Sequence, residues 1–421
     1  VIGVAALLLM PAPTHAQYGI ILPGAGPVNR AMGGVAVGTP IDPLGTMFWN
    51  PAGIGAFDKS QIGFGVEALI PSAGMTSSLP GTSFNGTVQS ASGVIPIPNI
   101  ALIHRPDEGP FSYGLGIMTL GGFALNYPGS STDALVTARP PNGVGVGPIY
   151  SQYAVLQIVP TVSYRITDQF MVGASPMLNM AQLMVNPGLV TNPDVVAGSP
   201  VYPPLVATHY AFGGGFQVGA LWRPEENWNV GGSFKSPQWF QSFEYNAANP
   251  SGQAQGAKWG LNVPMMASVG GSYTGIDRLV LGLDLHYIGY NNTRGYDSTG
   301  FTSTGALRGL GWRDVFAVAI GAQYRITDVF AVQLGYSFNT NPIRNENTFF
   351  DAAAPLVTQQ SVSVGVSYDV SEKLKVSLAY VHAFQGAATG PIYAGNTPVP
   401  GSFVNSTLSD DAILIGATVA Y

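Results

Sequence analysis

From about residue 60 to Tyr421 the chain alternates apolar side chains with small or polar ones, and this period of two confines it to strands with two unlike faces. In Ser361 to Tyr368, Val362, Val364, Val366 and Tyr368 share one face, and Ser361, Ser363, Gly365 and Ser367 share the other. Leu279, Leu281, Leu283, Leu285 and Tyr287 stand opposite Gly282, Asp284 and His286. Phe330, Val332, Leu334, Tyr336 and Phe338 stand opposite Gln333, Gly335 and Ser337. The apolar face suits lipid and the other suits a lumen. The apolar face often ends in Tyr, Phe or Trp, as interfacial aromatic girdles do.

Fourteen such strands are expected, near 60–70, 93–105, 111–125, 149–166, 170–185, 209–223, 228–243, 258–274, 279–291, 312–326, 329–341, 361–370, 374–384 and 411–421. Tight turns such as Thr167-Asp168 and Thr327-Asp328 alternate with long segments near 71–92, 126–148, 186–208, 244–257, 292–311, 342–360 and 385–410. Short periplasmic turns and long outer loops characterise outer-membrane barrels, and an even strand count places both termini on the periplasmic side. The last strand closes on Tyr421, a terminal aromatic of the kind that serves as a signal to the barrel-assembly machinery.

Composition supports the same class. Charged residues are 9% of the chain and hydrophobic residues 46%, whereas a soluble domain carries roughly 25% charged residues. A disordered chain would be far less apolar. No run reaches the ~18 apolar residues of a transmembrane helix. A β-solenoid or propeller would show a constant repeat, which is absent. A soluble sandwich would make its second face strongly polar, and here that face is small and weakly polar. The chain has no Cys, so it has neither disulfides nor thiolate metal sites, and no metal motif or cofactor fingerprint occurs. The net charge of −6 comes without a basic stripe for nucleic acid. The fold expected is all-β: a transmembrane antiparallel barrel of about fourteen strands.

Residues 1–16 read as part of a secretory signal, with an apolar run to Met10 and small residues at Thr14 and Ala16 before Gln17; the basic region that should precede them is missing. Residues 17–59 do not alternate. They are rich in Gly and Pro, and Met47 to Ile54 is an apolar run interrupted by the turn-forming Asn50-Pro51. An apolar segment of this length ahead of a barrel is expected to fold into the lumen as a hatch, leaving 60–421 as the barrel.

Arg30-Ala31-Met32-Gly33-Gly34 through Trp49-Asn50-Pro51-Ala52-Gly53 resembles the hatch of the FadL/TodX family of outer-membrane transporters of long-chain fatty acids and aromatic hydrocarbons, whose signature is Asn-Pro-Ala. Gly311-Trp312-Arg313-Asp314 through Tyr324, Leu334-Gly335-Tyr336, Asn341-Pro342 and Phe234-Lys235-Ser236-Pro237 are also similar, so the likeness spans nearly the whole mature chain. It implies a monomeric, hatch-plugged barrel of fourteen strands that takes up hydrophobic small molecules by diffusion and releases them sideways at a kinked third strand. The partners expected are the ligand, outer-membrane lipid and lipopolysaccharide.

Site candidates follow from both readings. Asn50, Pro51, Ala52 and Gly53 form the hatch motif. Gly121 and Gly122 in the third strand are candidates for the kink, because paired glycines weaken a strand or mark a bulge; Pro96 and Pro98 in the second strand cannot donate to a ladder. By strand parity Lys235, Lys258 and Arg313 face inward, either to meet a ligand carboxylate or to pair with Glu67, Asp284 and His286. Phe48 joins them as a pocket candidate, and the resemblance implies that Gln17 and Tyr18 reach the pocket as well. The outer segment 186–208, with Leu189, Val190, Val195, Val196, Val201, Leu205 and Val206, reads either as a capture surface or as packing for its neighbouring loops. As rival readings, a lipase would rest on His286 with Asp284 but lacks a Gly-x-Ser-x-Gly elbow. A general porin would need charged constriction rings that are not seen, and a purely structural barrel is the third alternative.

Overall fold

The computed structural model describes residues 17–421 except 140, 141, 197, 207, 208, 250 and 251. The expected signal segment, 1–16, lies outside the described residues. Fourteen antiparallel strands form the wall: β1 Gln61–Ser78, β2 Ile95–His104, β3 Phe111–Tyr127, β4 Ile149–Thr167, β5 Phe170–Asn186, β6 Ala211–Glu225, β7 Trp228–Lys235, β8 Met265–Ile276, β9 Leu279–Gly289, β10 Val315–Arg325, β11 Phe330–Asn339, β12 Gln360–Asp369, β13 Leu374–Gly390 and β14 Phe403–Ala420. Each strand pairs with the next, and β14 pairs with β1 from Gln61↔Ala420 to Ser78↔Phe403, which closes the ring. Closure pairs the strands around the ring, apart from a gap on the upper part of β2 and β3, and in lipid an unpaired backbone group costs several kcal/mol.

All fourteen expected strands are present; β1 and β13 run further than expected, to Ser78 and Gly390, and three other strands differ in extent. β7 stops at Lys235, before Ser236-Pro237, because proline has no N–H for the ladder; a short piece, Trp239–Phe240, then rejoins β6. Residues 258–264 are not part of the wall. Ala254–Trp259 pairs with Phe243–Ala248 as an outer hairpin, and β8 begins after Pro264. β14 begins at Phe403, well before the expected 411, so most of the presumed loop 385–410 is ladder shared with β13 and β1.

The two faces follow the alternation. Val362, Val364 and Tyr368 are exposed on the outside, and Ser361, Ser363 and Ser367 are buried inside. Outward aromatics gather near the tight turns at Tyr113, Tyr164, Trp222 and Trp228, and near the opposite rim at Phe212, Phe316, Tyr336 and Tyr380.

Residues 17–57 lie almost wholly buried within the ring. They hold two short helices, α1 Pro27–Ala31 and α2 Pro43–Trp49, and a 3-10 turn, Pro51–Ala56. Asp42 caps α2 by accepting the Gly45 N–H at 2.9 Å, and proline occupies the first helical position of each element, where a missing N–H costs nothing. The wall is shaped to receive this segment. A Cβ at Gly335 would overlap the Gly33 N, one at Gly321 the Met32 carbonyl, and one at Gly173 the Pro51–Ala52 peptide. Wall hydroxyls donate to its carbonyls: Ser363 to Ala31 (3.0 Å), Ser272 to Gly38 (2.8 Å), Ser233 to Trp49 (2.6 Å) and Ser163 to Ala52 (3.0 Å).

Candidate functional site: a filled lumen beside a broken ladder

Charged wall residues grip the N-terminal segment. Arg30 donates to Glu67 of β1 through Nε (3.2 Å) and Nη2 (2.8 Å), with both side chains buried. Asp284 of β9 accepts the successive N–H groups of Ala36 and Val37 at 2.7 and 2.8 Å. The Asn50 amide satisfies three groups. Its oxygen accepts the Ala52 N–H, and its nitrogen donates to Val37 (2.7 Å) and to the wall at Ala220 (3.0 Å). The Asn50–Gly53 turn is thereby wedged among β4, β5 and β6.

Above this contact lies an aromatic and polar layer. His286 packs in tilted contact against Trp49 (4.2 Å between ring centres) and Tyr18 (5.4 Å), and its Nδ1 meets the Ser268 hydroxyl at 2.8 Å. Asp284 is therefore spent on the backbone of the N-terminal segment, and the His286–Asp284 pair that a hydrolase would need does not form. Gln17 and Tyr18 are buried. The Gln17 N–H donates to Thr358, and the Tyr18 carbonyl accepts the Tyr290 hydroxyl at 2.7 Å, whose oxygen accepts the Ile20 N–H. Gln238 accepts from Gln157 and Asn179, and Gln217 donates to the Trp49 carbonyl.

The three expected lumenal cations part ways. Lys235 is buried and has no carboxylate partner among the described residues; its ammonium lies 4.4 Å from the Phe48 ring centre and 5.9 Å from that of Trp49. Lys258 is not lumenal. It sits on the exposed outer hairpin, paired with Glu244, because the wall strand expected to carry it starts only at Met265. Arg313 is also exposed. It precedes β10, and its Nε donates to the Asn341 carbonyl at 2.7 Å. Parity counting fails for both because neither lies on a wall strand. Its neighbour Trp312 points inward instead, and donates to Asp351 of an outer loop, whose carboxyl burial pushes well above the usual range.

The wall breaks between β2 and β3. Their pairing runs from His104↔Tyr113 to Asn99↔Met118 and stops, although β2 stays paired with β1 as far as Ile95. On the other side of β3 the register slips between Thr119 and Gly121, leaving Leu120 as the extra residue of a bulge. The backbone just beyond the bulge is taken up by the N-terminal segment. Gly122 N–H donates to Ile20 (2.9 Å), and Leu22 N–H donates to Leu120 (3.1 Å). A Cβ at Gly121 would overlap the Ile20 carbonyl. Gly122 has φ +152° and faces the Tyr153 carbonyl where a Cβ would sit. A cavity of about 310 Å³ occupies the break, lined by Leu22, Ile95, Pro96, Phe123 and Tyr153 among others.

A second cavity, about 610 Å³, lies among the outer loops, lined by Leu135, Leu189, Tyr202, Phe301, Phe350 and Tyr393. The segment 186–208 packs on its neighbouring loops in part and leaves some of its apolar side chains exposed. Leu189 and Tyr202 bond to the 292–311 loop and line the cavity, while Val195, Val196 and Val206 stay exposed. Gly121-Gly122 and the prolines of β2 were the sequence signals for an irregularity here; Tyr290, Tyr153 and Gln238 carried no such signal.

A closed barrel with lipid-facing girdles, a filled lumen and an apolar outer chamber defines an outer-membrane channel protein. Residues 23–421 match the model of the family described as outer membrane protein transport protein (OMPP1/FadL/TodX), and the chain belongs to that family. It is thus a transport protein of the bacterial outer membrane and not an enzyme. Similar solved structures include the Pseudomonas putida toluene transporter TodX (16% identity, 95% of this chain and 99% of that one, TM-score 0.70). A Pseudomonas aeruginosa FadL homologue (16%, 96% and 99%, 0.72) and the Ralstonia pickettii toluene transporter TbuX (19%, 95% and 99%, 0.66) are also similar. No curated protein sequence matches.

Proposed function

We propose that the chain passes small hydrophobic molecules across the outer membrane by diffusion, with residues 17–59 acting as the hatch. Ligand collects in the outer chamber, moves down past the aromatic layer around Tyr153 and Tyr290, and leaves sideways between β2 and β3. The observation that carries this reading is the conjunction of an interrupted ladder with a cavity at the interruption, directly above a filled lumen. Straight-through passage to the periplasm would require the hatch to let go of Glu67, Asp284 and several wall hydroxyls at once, whereas the lateral route crosses no β2–β3 ladder bond and meets only the Ile20–Gly122 and Leu22–Leu120 bonds of the N-terminal segment. The likeness to toluene transporters favours neutral hydrocarbons as cargo. Lys235, without a carboxylate partner among the described residues and flanked by Phe48, is the group that would hold an acid head group such as that of a fatty acid. Uptake of radiolabelled toluene and oleate by a strain lacking its own transporters, with and without this chain, tests the function. Faster entry of either compound is the expected result, and Lys235→Met should slow oleate alone. Equal entry of both compounds with and without the chain refutes the reading.

A general porin would pass sugars into liposomes, which the filled lumen argues against.

A further inference from the structure

We propose that the opening between β2 and β3 is a built seam of fixed height, with Pro96 and Pro98 holding it open and Asn99 as its sill. This inference rests on the lateral-exit reading above and adds the residues that set the size of the exit.

The Thr119 hydroxyl donates to the Pro98 carbonyl at 3.3 Å, so residue 98 turns its backbone polar groups toward β3. In an extended strand the N–H and C=O of one residue point the same way, and residues two apart repeat that direction. Pro98 and Pro96 therefore occupy two successive positions whose N–H would have bonded β3, and neither has one. A single missing donor weakens a ladder, whereas two in succession end it. The Asn99↔Met118 rung is the last in the structure, directly below them.

Thr119 N–H would ordinarily seek the residue 98 carbonyl. It is instead accepted by the Asn99 side-chain oxygen at 3.0 Å. Asn99 is buried and points inward, while both prolines face outward. The amide thus finishes the ladder cleanly at its lower side and leaves no buried orphan donor at the edge of the gap. At the upper side Ala91 N–H donates to the Asn126 carbonyl (2.8 Å), and Asn126 N–H donates to the Ser90 hydroxyl (3.0 Å). Between these limits β3 runs from Leu120 to Leu125, about 20 Å of strand at roughly 3.3 Å per residue. The seam therefore has a sill at Asn99–Thr119, a lintel at Ser90–Asn126, and the N-terminal segment behind it at Ile20–Leu22. Such an opening discriminates cargo by size rather than by polarity.

The chain has no cysteine, so a cysteine pair reports cleanly. If the register ran on past Asn99↔Met118, Ile97 and Leu120 would be cross-strand partners. In the full-length protein, Ile97→Cys/Leu120→Cys should oxidise slowly with proline at 96 and 98. It should oxidise at least tenfold faster when Pro96→Val and Pro98→Val restore the donors on a lipid-facing position that suits valine. An equal rate in both backgrounds overturns the role of the prolines; Pro98→Val alone serves if the double change does not fold. For the sill, Asn99→Leu should raise the ratio of naphthalene to toluene uptake several-fold, and Asn99→Asp, which keeps the acceptor, should leave it unchanged. An unchanged ratio in Asn99→Leu overturns the sill. Oxidising the cysteine pair tests the lateral route separately. Uptake that persists in the stapled protein refutes lateral exit, whatever the prolines do to the rate of staple formation.

Discussion

Arg30 and Glu67 are the most consequential single pair, because both are buried and each is the other's counter-charge. Removing one partner strands an uncompensated charge, typically worth about 3–5 kcal/mol, while replacing both by apolar residues of similar size is often neutral. Arg30→Met should therefore lower the urea midpoint clearly, and Arg30→Met with Glu67→Met should recover most of the loss; a double variant as weak as the single would contradict this. Asp42, on the N-terminal segment and outside the wall strands, has its carboxyl pushed up by burial to about 6 from an ordinary 3.8, against the pull of its bond to Gly45 N–H. A carboxyl raised in the folded state holds its proton more tightly there, so its contribution to stability is greatest below 3.8 and is lost as pH rises through about 6. Asp42→Asn keeps the capping oxygen and removes the titration. The variant should match the parent at pH 3.5, exceed it at pH 7, and diverge from it between those values in urea melts; parallel curves would refute the assignment. At this scale the sequence was partly legible. Glu67, Asp284, His286 and Lys235 were placed on the lumenal face by parity. Their partners were not, because Arg30 and the Ala36–Val37 amides come from a segment with no periodicity to orient it.

Strand β3 shows why an element can be found in sequence while its important feature is not. Tyr113, Leu115 and Ile117 face outward, then the bulge at Leu120 reverses the parity so that Leu125 and Tyr127 face inward. Odd positions are apolar on both sides of the bulge, since lipid and an apolar lumen accept the same residues, and the reversal leaves no trace in the pattern. The glycines mark the spot for a reason the structure supplies: backbone approaches too closely at both for any Cβ. Gly122→Ala should cost about 1–3 kcal/mol through its positive φ and the Tyr153 carbonyl. A heat-modifiability assay should show a lower unfolding temperature, whereas an alanine substitution at the exposed hairpin glycine Gly256, which meets nothing and has no positive φ, should cost less. An equal cost at the two sites would remove the kink from the list of built features. Lys258 and Arg313 illustrate the converse error. Parity was extended beyond the ends of β8 and β10, into a hairpin and a loop where alternation no longer reports a wall.

For the whole molecule, the period-two pattern and scarcity of charge were enough to give a closed barrel and its fourteen strands, because lipid leaves a β-chain no other way to satisfy its backbone. What fills that barrel depends on small residues. Glycines along the inner face read in sequence as weak strand formers, yet several are the sockets for residues 31–52. Wall closure and lumen filling are thus energetically separate. The ring is held by ladder bonds between strands, the N-terminal segment by Glu67, Asp284 and serine hydroxyls. Deleting residues 17–56 should therefore leave a barrel that still migrates as folded without heating, but with an open lumen lined by the freed serines, Glu67 and Lys235. Liposomes carrying the deletion should swell in arabinose or glucose, and those carrying the full chain should not. In the same comparison hydrocarbon uptake should lose its dependence on the seam, because a straight path competes with the lateral one; the oxidised Ile97→Cys/Leu120→Cys staple would then block the full chain and spare the deletion. Swelling by sugars through the intact chain would show that the N-terminal segment does not seal the lumen. A stapled deletion that stays blocked would show that the seam, and not the lumen, remains the sole exit even when the lumen is empty.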